Sequence, residues 1–314
     1  MTRTKKAFLV LLALLLLAGS VGFGSAAAET PAAPAPSGAE IPGGARVSYL
    51  GPAGTYTEEA TRFFFRDTGA CLPEASVEEA IAALVEGRAD YAVIPQENTL
   101  GGAVTNYVDA LIAEARVYVV GEVILPISQT LMGIPGTTLE DIKTVCSHAQ
   151  GIKQSEAWRL EHLPDAVTEE MSSTAAAASY VAAQQDMSIA AVAAPAAAEL
   201  YGLSVLAENV QITDANKTRF YVLGAEPLPV STCTHAVFVA DCEANRIDDI
   251  IVEIHQAGLE LVTLHDRPEG SALGHYYYII EVENAGGITD AQLQQIGGID
   301  EVRCLGSFDA FEKA

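Results

Sequence analysis

The stretch Ala45-Arg46-Val47-Ser48-Tyr49-Leu50-Gly51-Pro52-Ala53-Gly54-Thr55-Tyr56-Thr57 decides the fold class. Its first six residues read as a strand. Two glycines and a proline interrupt it, and hydroxyl residues lead into a helical run from Glu58 to Arg66. A strand feeding a helix through a tight glycine turn is the repeating unit of α/β sheets. Free N–H groups at such a helix start can cradle an anion, and the same residues also serve a plain turn with Thr57 as the cap.

The unit recurs downstream. Ser76 to Glu86 reads as a helix, and Asp90 to Ile94 as a short buried strand that opens into Pro95-Gln96-Glu97-Asn98-Thr99-Leu100-Gly101-Gly102-Ala103-Val104. A helix near Asn106 to Glu114 and a strand from Val117 to Leu125 follow. Pro126 to Gly133 is a crossover into a second set of elements. There Thr144 to Ser147 is a strand and Gln150 to Leu160 a helix, with His148 at its mouth as a cap or a proton carrier. Ser172-Ser173-Thr174 precedes an Ala-rich helix to Gln184, and Ile189 to Ala194 is a buried strand. This order predicts parallel sheets in two lobes, with hydroxyl-rich loops facing one another across a cleft. After Leu228-Pro229 the order becomes βαββαβ, the ferredoxin-like arrangement, over about 75 residues. It is well shaped for pairing with a copy of itself, so a dimer or tetramer is expected.

The 314 residues suggest two domains at ~150 residues each. The first 28 are read separately. Arg3, Lys5 and Lys6 precede an apolar run from Ala7 to Ala18, and Ser25-Ala26-Ala27-Ala28 supplies small residues for cleavage. That is the pattern of a secretory signal, too short in its apolar core for a membrane span. Export, with cleavage after Ala28, is the expectation, and an uncleaved anchor is the alternative. Residues 29–44, rich in Ala, Pro and Gly, read as a flexible tether. The formal charge is −24 and becomes −27 without the three basic residues of the leader. Such a surface repels nucleic acid and anionic membranes. Cys71, Cys146, Cys233, Cys242 and Cys304 form no Cys-x-x-Cys pair, which argues against a zinc or redox site. An oxidising compartment would permit disulfides, and five cysteines leave at least one outside any intramolecular pair.

Chemistry concentrates at Asn216-Lys217-Thr218-Arg219-Phe220, which runs into Tyr221-Val222-Leu223. A hydroxyl, a guanidinium and an aromatic ring occupy three consecutive positions. In an extended chain Thr218 and Phe220 share one side and Arg219 takes the other, whereas in a bend all three converge. A hydroxyl donates and accepts, and a guanidinium holds a carboxylate through two parallel bonds. The set suits an acidic substrate that must lose an oxygen.

Taken together, these motifs resemble those of the prephenate dehydratase family followed by an ACT regulatory domain, over Val47 to Phe308. The family's Gly-Pro-x-Gly-Thr-Phe-Ser stands here as Gly51 to Thr57, and its Pro-Ile-Glu-Asn-Ser as Pro95-Gln96-Glu97-Asn98-Thr99. Ser147-His148-Ala149-Gln150 and Ser173-Thr174-Ala175 match two further segments, and Asn-x-Thr-Arg-Phe is intact at Asn216 to Phe220. The resemblance implies a two-lobed, periplasmic-binding-protein-like catalytic domain over 45–226 and an ACT domain over 233–314. It implies conversion of prephenate to phenylpyruvate without cofactor or metal, because aromatisation drives the reaction. Thr218 would assist the departing ring hydroxyl, and Arg219 would clamp a carboxylate or hold the loop. Thr55, Asn98, Thr99, Ser173 and Thr174 would bind substrate oxygens, with Phe220 beside them. Arogenate is the alternative substrate, and an exported solute-binding protein is the alternative class.

Departures from the family pattern are Gln96 for an apolar residue, Gln129 for a His between the lobes, and Ala149 for Pro. All three are expected near the cleft. In the ACT part the phenylalanine-binding motifs stand as Asn245-Arg246-Ile247 and His265-Asp266-Arg267-Pro268. The resemblance thus assigns a phenylalanine effector to Asn245, Ile247, Asp266, Arg267 and Pro268. Asn245 replaces a glycine and adds a side chain where the effector would sit.

Overall fold

The leading glycine turn does join a strand to a helix. Residues 44–66, 68–228 and 233–313 are described in a computed structural model. The expected signal, 1–28, and all of the tether except Gly44 lie outside the described residues. Strand β1 (Ala45–Leu50) leads to α1 (Tyr56–Phe65), β2 (Thr68–Glu74), α2 (Val77–Val85), β3 (Tyr91–Asn98), β4 (Gly102–Ala103), α3 (Thr105–Ala113) and β5 (Tyr118–Pro126). Thr55, rather than Thr57, caps α1 by accepting from the Glu58 amide, and Thr57 is buried.

The chain then builds a second sheet. Its elements are β6 (Thr130–Gly133), β7 (Thr144–Ser147), α4 (Ala149–Gln154), α5 (Glu156–His162), β8 (Val167–Glu170), α6 (Thr174–Gln184), β9 (Ile189–Ala193), α7 (Pro195–Tyr201) and β10 (Ser204–Ala207). The helix expected over Gln150 to Leu160 is broken at Ser155, which ends α4 and starts α5. Strand order is β10-β6-β9-β7-β8, and β6 runs antiparallel to both neighbours.

Strand β11 (Lys217–Gly224) returns to the first sheet, between β5 and β3 and antiparallel to both. The expectation of purely parallel sheets is therefore corrected: both sheets are mixed. The reason is topological. The chain leaves at the end of β5 and re-enters at the same end, with Lys217 opposite Pro126, so β11 must run backwards.

The remaining elements are β12 (His235–Glu243), α8 (Ile247–Gln256), β13 (Glu260–Pro268), β14 (His275–Glu283), α9 (Asp290–Gly297) and β15 (Val302–Phe308), in the expected βαββαβ order. They form a four-stranded antiparallel sheet, ordered β13-β14-β12-β15. Strand side chains alternate faces, and here both faces are apolar. Ala236, Phe238 and Ala240 pack under Ile250, Ile254 and Ile296 of α8 and α9. Val237 and Val239 instead join Tyr107, Leu111 and Tyr221 of the first region, so the third sheet shares a core with it. Each such large buried side chain contributes about 1.5–3 kcal/mol.

The two sheets come very close at Gly306. Its φ is 135°, and a Cβ there would collide with the Val119 carbonyl. Past Asp309 a last strand, β16 (Ala310–Glu312), adds parallel to β5 at the edge of the first sheet. Phe311 packs on Phe64 and Lys313 pairs with Glu59 at 2.7 Å.

Candidate active site

A cavity of about 230 Å³, rich in hydroxyl and amide side chains, lies where the first two sheets face each other. From the first region it takes Tyr56, Asn98, Gln129 and Thr218, and from the second the start of α4 and the Ser172-Ser173-Thr174 entry to α6. No Lys or Arg is among its lining residues. An anion there would be held by amides, hydroxyls and helix-start N–H groups, or by the His148 ring.

Asn98 and Thr218 face each other across the β3–β11 pair, where they are in register. Asn98 Oδ1 accepts from the Leu100 amide (3.1 Å), the Gly101 amide (3.0 Å) and Gln150 Nε2 (2.8 Å). Three donors on that oxygen determine which way the amide faces. Its Nδ2 consequently donates to Thr218 Oγ1 at 2.9 Å, and also to Asn216 Oδ1 at 2.9 Å. A hydroxyl that accepts from an amide keeps its own proton for another partner. Among the described residues none accepts it. Thr218 is thus a donor aimed by its neighbours.

The second region supplies helix starts. Ser173 caps α6 by accepting from the Ala176 amide at 2.9 Å, and Thr174 is the first residue of that helix. Helix geometry leaves the Thr174 and Ala175 amides without intrahelical acceptors, which suits a carboxylate oxygen. His148 caps α4 through Nδ1, which accepts from the Gln150 amide at 3.3 Å. Gly151 lets α4 approach, because a Cβ there would collide with Ser147 Oγ. Gln129 Nε2 donates to Gln154 Oε1 at 3.0 Å, so position 129 lies at the cleft as expected.

Several expected site residues are elsewhere. Thr55 caps α1 and borders a different cavity, of about 870 Å³, beside Arg62 and Lys313. Thr99 is exposed and tied to the Lys217 backbone, donating to its carbonyl and accepting from its N–H, both at 3.1 Å. Phe220 is buried in the core under α1 with Phe64 and Val93. Among the effector residues, Ile247 packs in the α8 core, Asn245, Asp266 and Pro268 are exposed, and Arg267 pairs with Asp109 of α3 at 2.5 Å. No described contact joins them.

Arg219 corrects the expectation of a substrate clamp. It points to the opposite face of β11 from Thr218, as strand alternation requires. There its Nε lies 2.6 Å from Glu122 Oε1, its Nη2 bonds Glu281 Oε1, and Glu97 is 3.8 Å away. Burial opposes its charge, and the two carboxylates more than offset this, raising its pKa. Gln96, expected near the cleft, also lies on this face, donating to Tyr221 Oη (2.7 Å) and Glu281 Oε2 (3.1 Å). Burial first, and then the Glu281 carboxylate, push Glu122 up to about 8. Tyr107 bonds His265 Nδ1 alongside, and burial lowers the pKa of His265.

Sequence reasoning missed Tyr56, Gln150 and Gln154 as lining residues. Tyr56 stands where the resembled motif has Phe, and its hydroxyl donates to the Ser128 carbonyl at 2.6 Å. That added oxygen was the available signal. The glutamines sit on α4 at i and i+4, a spacing that places them on one helix face.

A cleft between two mixed α/β sheets, lined by hydroxyls and amides, with a third antiparallel sheet packed on the first, is the build of a protein that takes up a small polar molecule. The chain belongs to the prephenate dehydratase family, whose sequence pattern matches residues 47–228. It is 30% identical to prephenate dehydratase of Lactococcus lactis subsp. cremoris over 278 residues, or 85% of this chain and 98% of that one. The crystal structure of prephenate dehydratase from Arthrobacter aurescens in complex with L-Phe matches at 29% identity and a TM-score of 0.75, covering 84% of this chain and 90% of that one. A structure described as GqqA, a novel type of quorum quenching acylase, matches at 27% identity and a TM-score of 0.75, covering 85% and 98%.

Proposed function

We propose that this chain converts prephenate to phenylpyruvate, with loss of carbon dioxide and water, in phenylalanine biosynthesis. The observation that carries the site assignment is the hydroxyl of Thr218, held as an acceptor by Asn98 with its proton left over. The ring carboxylate leaves as carbon dioxide and its bonding electrons enter the ring. The bond from the ring to its hydroxyl breaks as the ring becomes aromatic. The departing oxygen takes up a proton from the medium, so that hydroxide leaves as water. Thr218 supplies the hydrogen bond that steadies this oxygen as negative charge builds on it. The first-turn amides of α6, with Ser173 and Thr174, hold a carboxylate. An acylase would use the same alcohol as a nucleophile, which needs a base to accept its proton. Asn98 donates instead, which favours dehydration.

The same proposal divides the chain into a signal over 1–28, a tether over 29–44, a two-lobed, periplasmic-binding-protein-like catalytic domain over 45–226 and an ACT domain over 233–314. Export to the periplasm rests on the basic, apolar and small-residue leader. The ACT assignment and a dimer or tetramer rest on the βαββαβ sheet, where β13 lies at an edge. Phenylalanine as effector rests on the relative crystallised with L-Phe. The test is to mix purified protein with prephenate and follow phenylpyruvate by ultraviolet absorption, with arogenate in parallel. Turnover of prephenate is expected. Binding without product would replace the enzyme by a solute-binding protein, and faster turnover of arogenate would change the substrate.

A further inference from the structure

Behind Thr218, one guanidinium serves two carboxylates that are both fully buried, Glu122 of β5 and Glu281 of β14. They come from different sheets. Glu281 belongs to the third sheet, yet Arg219, Tyr221 Oη (2.6 Å) and Gln96 Nε2 (3.1 Å) all donate to it. Tyr221 and Arg219 lie on β11, the strand of Thr218, and Gln96 lies on β3, two residues before Asn98. One side chain of the third sheet therefore grips both strands that carry the Asn98–Thr218 pair. The amide at position 96, where the resembled motif is apolar, gives this carboxylate a donor.

We infer that Glu281 and Glu122 are positioning residues for the dehydration, clamping Arg219 from behind β11 so that Thr218 stays against Asn98. This rests on the assignment of Thr218 proposed above.

Burial, and then the neighbouring Glu281 carboxylate, disfavour the ionised form of Glu122, which keeps its proton at neutral pH. Neither of its oxygens receives a hydrogen bond of good geometry, even though one is 2.6 Å from Arg219 Nε. The charged and titratable groups around it are Arg219 and Tyr221 of β11, Glu281 of β14, Glu97 of β3, Tyr107 of α3, His265 of β13 and His235 of β12. Of the two that carry positive charge when protonated besides Arg219, burial disfavours the charge on both His235 and His265. When Glu122 ionises, the clamp gains a negative charge that no neighbour balances. Contact between the third sheet and β11 loosens, and Thr218 loses its aim.

The experiment measures kcat and KM for prephenate from about pH 6 to 9.5 in the wild type, Glu122→Gln, Glu281→Gln and Tyr221→Phe. For the wild type, kcat should fall about tenfold above pH 8 with KM within about twofold, since the clamp touches no substrate. That alkaline fall should shrink below about twofold in Glu122→Gln, which cannot ionise. Glu281→Gln should lower kcat about tenfold across the range. If that variant does not fold, Tyr221→Phe, which removes one donor to Glu281 and one acceptor for Gln96, should lower kcat about threefold with KM unchanged. An alkaline limb in Glu122→Gln identical to the wild type overturns the inference. So does a KM effect in place of a kcat effect. Full activity of Thr218→Val would instead overturn the assignment on which the clamp rests.

Discussion

Replacing Thr218 by valine removes one oxygen and almost nothing else, and the structure sets the size of each consequence. Thr218 is 9% exposed and sits in a strand, where valine is a favoured residue of similar volume. Asn98 Nδ2 loses one acceptor at 2.9 Å and keeps two, Asn216 Oδ1 at 2.9 Å and the Lys217 carbonyl at 3.3 Å. No buried donor is orphaned, so the folding cost stays near the ~1 kcal/mol of one neutral hydrogen bond. The three donors on Asn98 Oδ1 are untouched, so the rest of the site keeps its shape. Turnover is another matter. Loss of one donor to a developing oxyanion costs ~10²–10³ in kcat, or about 3–4 kcal/mol. Thr218→Ser keeps the donor and should retain activity within about tenfold. Phenylpyruvate absorbance gives kcat, and thermal unfolding monitors the fold. A valine variant with the wild-type melting temperature and kcat within about fivefold would refute the reasoning, since an ordered pocket would then turn over without its alcohol.

Stability should fall with rising pH because of Glu122. Its folded pKa of about 8 lies above the ordinary 4.5, so the folded chain holds a proton that the unfolded chain gives up. The contribution is complete below about pH 4.5 and lost by about pH 8, at roughly 1.4 kcal/mol per pH unit and on the order of 5 kcal/mol in total. Urea unfolding at several pH values should show this slope in the wild type and not in Glu122→Gln; equal slopes would count against it. Gly306→Ala forces a side chain onto the Val119 carbonyl at a φ of 135° and should destabilise by about 2 kcal/mol or more. An unchanged melting temperature would mean that β15 and β5 can move apart freely. Gln150→Leu removes the 2.8 Å bond from α4 across the cleft to Asn98, and kcat should drop about tenfold while the fold persists. Steady-state kinetics check this, and an unaltered kcat would show that the Leu100 and Gly101 amides orient Asn98 unaided.

Much of the architecture was legible because it rests on local rules. The strand and glycine turn at Ala45 to Gly54, the capped helix over Val77–Val85 and the βαββαβ order after His235 all follow from short-range periodicity and punctuation. Thr218, Asn98, Ser173 and Thr174 were found by residue type and motif, and they do meet in one cavity. Thr55, Thr99 and Arg219 carry the same chemistry and do not. Thr55 is used as a helix cap, Thr99 is held by the Lys217 backbone and Arg219 by Glu122 and Glu281, and residue type says nothing about which side of a strand faces the cleft.

By itself the sequence marked most of the elements and singled out Thr218 as the candidate alcohol. Tertiary structure alone decided the direction of β11, which follows from where the chain re-enters the first sheet. It also decided the partners of Arg219, because Glu122 and Glu281 stand 97 and 62 residues away along the chain. Contacts over such separations arise only when the third sheet packs on the first, and no local pattern encodes them.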